Sequence, residues 1–181
     1  MIKKDRVTFW NSLFYYAWDS TKTVFETHNN KKSTRSFNPI GGRAGNEQEI
    51  VLRSLLFTTL AIESRVNHLI IELAESGKIS DDVSRAIQQI NTKDKWFLLP
   101  KIAGKRRKLD ASKPPHQAIT EICAIRNSLI HVNFNQLQKK LPTSNKMVSL
   151  FHQFVCAMED MNVVLGRVKK TRKRVTDISN F

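Results

Sequence analysis

Helix breakers are scarce in this chain. Glycine occurs 6 times and proline 5 times in 181 residues. No segment alternates apolar and polar residues over the length of a strand, and no internal repeat is visible. Leucine, isoleucine, lysine and glutamine are plentiful, and with so few breakers they favour helices. Cysteine is nearly absent too. Cys123 and Cys156 stand far apart, each within an apolar helical pattern, and lack metal-site spacing. They read as buried thiols in a reducing compartment, with a mutual disulfide as the other option. Long apolar runs are missing: nothing approaches the roughly 20 residues of a membrane span. The opening MIKKDRVTFWNS has no apolar core or small-residue cleavage site of a secretory leader. The reading is a cytoplasmic protein with no membrane partner.

Negative charge is also in short supply. There are 16 acidic residues against 30 basic ones, a formal charge of +14 and a sequence pI near 10.1. Such a surface draws polyanions, and nucleic acid is the commoner partner of so basic a chain. Several catalytic signatures are absent. No Gly-Ser loop precedes paired aspartates, and no serine nucleophile elbow or phosphate-binding Walker loop occurs. GGRAG, residues 41–45, has no lysine-serine pair after it and reads as linker.

Apolar residues, 40% of the chain, are enough for one domain with a sizeable core. Val7, Trp10, Phe14, Ala17, Trp18, Val24 and Phe25 recur at three- and four-residue steps, predicting a helix over about 5–28. NNKKSTRSFNPIGGRAGN follows as a polar, basic loop. Asn46, with Glu49 three residues on, can cap a long helix that stops at Gly77. It is apolar on several sides, as a central helix would be. Ser80 caps a short helix expected to turn Val83, Ala86, Ile87 and Ile90 inward, and Thr92 caps a further short turn, TKDKWFLLP. A basic loop covers Lys105 to Pro115. Two more main helices are expected over about 116–135 and 146–168, the last with a Met and Phe seam at Met147, Phe151, Phe154, Met158 and Met161. The expected class is all-α: an up-and-down helix bundle of four to five main helices. Residues 1–28 would pack on or extend it, 29–45 link, 46–168 form the helical domain, and 169–181 make a basic tail.

One segment of the fourth main helix, AIRNSLIHVNF, puts Arg126, Asn127 and His131 into an otherwise apolar pattern. Asn127 and His131 are four apart and stack on one face. Arg126 and His131 lie about 140° apart around the axis, a gap an arginine can close by folding back. The residues alone leave two readings open. Arg126 covers core with its stem while His131 is a satisfied core or last-turn histidine. Alternatively, the three form a phosphate-handling group. Glu63, with Asn67 one turn on, either serves that group or faces solvent near Arg65. The histidines His28, His68, His116 and His152 lack the spacing of a metal site and read as structural.

AIRNSLIHVNF resembles the signature of the HEPN superfamily, an arginine, often followed by asparagine, with a histidine four to six residues later. AIESRVNHLI (61–70) and TKDKWFLLPKI (92–102) also resemble segments of bacterial HEPN-like proteins. The resemblance covers about 46–168. It implies a HEPN-like bundle and a metal-independent endoribonuclease without cofactor, acting as a toxin or anti-phage defence effector. It further implies a homodimer with a composite cleft, and an antitoxin or defence partner protein. His131 would be general acid or base, Arg126 the phosphate clamp, Asn127 an orienting or phosphate-binding amide, and Glu63 an orienting carboxylate. The RNA backbone would be held by Lys105, Arg106, Arg107 and Lys108 and by Lys169, Lys170, Arg172, Lys173 and Arg174 in the tail. The alternatives are a non-catalytic RNA- or nucleotide-binding or scaffold module, and a structural bundle within a larger complex.

Overall fold

The computed structural model describes residues 9–29, 47–130 and 139–167. Among these residues the protein is all-α, with six helices and no strand. They are α1 Phe9–Asn29, α2 Glu47–Glu75, α3 Asp81–Gln88, α4 Thr92–Ile102, α5 Gln117–Ile130 and α6 Ser144–Val164. None is long and apolar enough to cross a membrane.

Local chemistry sets several ends. The Ser80 hydroxyl accepts from the Val83 N–H and caps α3; the Thr143 hydroxyl does the same for Lys146 at α6. For α4 the cap is Asn91, one residue before the expected Thr92: its carboxamide oxygen accepts from the Asp94 N–H at 2.9 Å. Helix α2 stops in a Schellman turn at Gly77, where φ is +70°. The Gly77 N–H reaches the Ala74 carbonyl and the Lys78 N–H the Leu73 carbonyl, at 2.8 and 3.0 Å. A residue with a Cβ is strained at that φ.

Helix α2 is the hub and packs against every other helix. Its Leu55, Ile62, Val66 and Ile70 are fully buried, and Leu13, Ala17 and Val24 of α1 join the same core. The α1–α2 seam is lined by small residues. Thr21 and Ser54 share a 2.6 Å hydrogen bond, and the Thr21 and Thr58 hydroxyls bond carbonyls one turn back. Each of these seam hydroxyls is thereby satisfied, and the two backbones can approach closely.

Cross-helix pairs give the directions. Trp10 meets Arg65, Tyr16 meets Phe57, Thr21 meets Ser54 and His28 meets Glu47, so α1 runs opposite to α2. Glu47 meets Ser144, Arg65 meets Asn162 and Glu72 meets Arg167, so α6 runs along α2. His116 at the start of α5 meets Asp160 late in α6, while Glu121 meets Lys146, so α5 runs opposite to α6.

The inward face of α3 differs from expectation. Val83 and Ile90 are 45% and 37% exposed and Ala86 is exposed; Ser84, at 5%, and Ile87 face the protein. The face that this short helix turns to the protein is therefore the one carrying Ser84.

Candidate functional site

A cleft of about 490 Å³ opens between α2, the α3–α4 junction and α5. Glu63 comes from α2, Lys93 and Lys95 from α4, and Cys123, Arg126 and Asn127 from α5. Three residues chosen from the sequence, Glu63, Arg126 and Asn127, therefore line one cleft. The fourth, His131, lies outside the described residues, as do Asn46 and the tail residues Lys169, Lys170, Arg172, Lys173 and Arg174.

Helical phase explains the convergence. Ala118, Ile119 and Ile122 are buried on the core side of α5. Arg126, four residues past Ile122, leaves the core at its edge and remains partly buried. Its Nη1 donates to the Asn127 carboxamide oxygen at 3.1 Å. The asparagine thus orients the guanidinium, which keeps most of its five donors for a ligand. Among the described residues no hydrogen bond or ion pair joins Glu63 to Arg126. Glu63 is partly buried on the cleft side of α2, while Arg65 occupies the opposite side. There Arg65 sits 4.5 Å from the Trp10 ring and donates to Asn162 at 2.9 Å, only 7% exposed. Burial and the nearby Arg167 push the Arg65 guanidinium down, against a pull upward from Glu72.

Like Lys93, Lys95 is a member that sequence reasoning missed. It is 3% exposed yet lines the cleft, and its Nζ donates to Asn67 Oδ1 at 2.9 Å. Burial pushes this ammonium down, and Glu63 counters from nearby. Two signals were legible. Lys95 lies four residues before buried Leu99, on the inward face of α4, and Asn67 lies one turn past Glu63. Cys123 lies deeper, and burial pushes its thiol up to about 11, with Arg126 and Lys93 opposing and Glu63 assisting. It is a protonated, inert thiol at neutral pH. Neither cysteine is in a disulfide.

No family model, curated protein or solved structure matches the chain.

The basic loop after α4 lies outside the cleft lining. Its Arg107 Nη2 donates to both oxygens of the Asp160 carboxylate, at 3.0 and 2.9 Å, so its charge is paired within the fold. Lys105 is partly buried near Gly166, while Arg106 and Lys108 are exposed. Asp160 also meets His116 Nε2 at 3.0 Å, and His116 Nδ1 accepts from the Trp96 indole at 3.2 Å. An indole N–H can only donate, so the His116 ring proton sits on Nε2 and faces Asp160. Among the described residues no three His, Cys, Asp or Glu side chains group as metal ligands.

Chemically, the cleft sets three cations, Lys93, Lys95 and Arg126, against one carboxylate, Glu63. It suits an anion with oxygen acceptors, such as a phosphate or a carboxylate.

Proposed function

We propose that the chain is a metal-independent endoribonuclease of HEPN type, built as a HEPN-like bundle and acting from a homodimer with a composite cleft. The observation that carries this reading is the convergence of Arg126, Asn127 and Glu63 on one cation-rich cleft. Arg126 and Asn127 stand out by pattern within one apolar segment, and Glu63 enters through the family resemblance, which implies that it serves the same group.

The chemistry follows from the residue types. A ribose 2′-hydroxyl attacks the adjacent phosphorus, and the bond from phosphorus to the 5′-oxygen breaks. The 2′ proton passes to a base and the departing 5′-oxygen takes one from an acid, leaving a 2′,3′-cyclic phosphate and a 5′-hydroxyl. His131 serves as acid or base, a role worth about 100- to 10,000-fold in rate. Arg126, oriented by Asn127, neutralises charge gathering on the non-bridging oxygens. Glu63 sets the electrostatics of the cleft rather than gripping Arg126. A toxin or anti-phage effector, restrained by a partner protein, fits a nuclease whose contacts are to backbone phosphate and carry no base code.

The test is RNA cleavage by purified protein in EDTA, with the ends analysed for cyclic phosphate. Arg126→Ala and His131→Ala are each expected to lose about 100-fold or more. Undiminished cutting by both variants refutes the assignment. RNA binding without cleavage at any protein concentration moves the chain to the binding-module reading.

A further inference from the structure

The buried ammonium of Lys95 has more donors than the fold uses. Among the described residues Asn67 is its one hydrogen-bond partner, a neutral amide. Glu63 acts on it electrostatically, but no ion pair joins the two. An ammonium carries three N–H donors and is costly to bury without an anion in contact. A packing role at this point of α4, one turn before fully buried Leu99, would be better filled by an apolar side chain. Instead the chain sets a cation at the wall of an open cleft, and Asn67 fixes its head. Arg126 reaches the same cleft from α5 and Lys93 borders it from the first turn of α4.

We infer that Lys95 is a second phosphate contact of the cleft, gripping a non-bridging oxygen of an RNA phosphodiester whose other oxygen Arg126 takes. Asn67 positions the ammonium, and Glu63 holds it electrostatically until phosphate displaces that influence. This deepens the ribonuclease reading and rests on it for the identity of the ligand. Two unlike cations divide the work: the arginine fork fixes orientation, whereas the lysine supplies a compact point charge from another helix.

The experiment measures binding and not cutting, so the two proposals fail separately. The probe is a fluorescein-labelled 2′-deoxy tetranucleotide, which lacks the attacking hydroxyl, titrated with full-length protein between about 50 and 200 mM salt. Lys95→Met is expected to weaken binding about tenfold or more, the ordinary effect of losing a charged hydrogen bond. It should also lower the slope of log affinity against log salt by about 0.7, one phosphate contact on a single strand. Lys95→Arg should keep the slope. A folded Lys95→Met protein with affinity within twofold of wild type and the same slope overturns the inference, whatever happens to cleavage. If Lys95→Met does not fold, Glu63→Gln decides. Removing the competing carboxylate should tighten binding severalfold, and unchanged or weaker binding overturns the inference. Loss of probe binding in Lys95→Met by a protein that never cuts RNA upholds the phosphate contact and removes the nuclease.

Discussion

Asp160 offers the sharpest test of which contacts hold this fold together. Its carboxylate takes the His116 Nε2–H at 3.0 Å and two Arg107 bonds at 2.9 and 3.0 Å. The two partners differ greatly in exposure: the side chain of His116 is 6% exposed and that of Arg107 is 53%. A hydrogen bond from a buried donor to a charged acceptor is worth about 1.5–3 kcal/mol. The exposed guanidinium, screened by water, contributes at most about 1 kcal/mol. Asp160→Ala removes both and leaves a buried imidazole N–H without an acceptor, so the expected loss is roughly 2–4 kcal/mol. For a domain of this size that lowers Tm by about 5–12 °C. Arg107→Ala, by the same reasoning, costs about 1 kcal/mol and no more than about 4 °C. Thermal melts followed by circular dichroism at neutral pH decide. If Asp160→Ala melts within about 2 °C of wild type, less than the shift expected for 1 kcal/mol, or if Arg107→Ala is as damaging, the ranking by burial is wrong. The same pair bears on RNA. Arg107→Ala should change the salt dependence of RNA binding less than loss of an unpaired cation would, because the Arg107 charge is already paired with Asp160.

Two further outcomes are expected. His68 is held below its usual range of about 6.5 by burial and by Arg65 and Arg167, against an upward pull from Glu72 and Glu75. The unfolded chain therefore takes up this proton first as pH falls through that value, and the folded state loses stability there. Urea midpoints should drop between pH 7.5 and 5.5, and His68→Gln should flatten the drop; an unchanged slope removes the argument. Cys123, with its thiol raised to about 11 and 7% of its surface exposed, should resist a thiol-specific disulfide reagent at pH 8 in the folded protein and react on unfolding. Labelling of native Cys123 at the unfolded rate would contradict its burial in the cleft lining.

What could be read from residue order was local. Three- and four-residue apolar steps place α1, α2, α5 and α6, because a helix that must bury one stripe repeats it every turn. Ser80 and Gly77 mark ends because capping needs only a neighbouring side chain or a permitted φ. The candidate site was half legible. Arg126 and Asn127 interrupt an apolar helix, and that conflict is visible in one segment. Their meeting with Glu63 in a cleft is not, since it depends on how α2 and α5 pack.

Packing between helices settled which charges are buried and which are spent. Lys95 finds Asn67 across 28 positions, Arg107 finds Asp160 across 53, and Arg65 finds Asn162 across 97. Nothing within a turn or two of those residues encodes such partners. The rotation of α3 is of the same kind: Ser84 is buried while the apolar Val83 is exposed. A side chain's fate follows from the face that another helix covers, and that face exists only once the chain has folded.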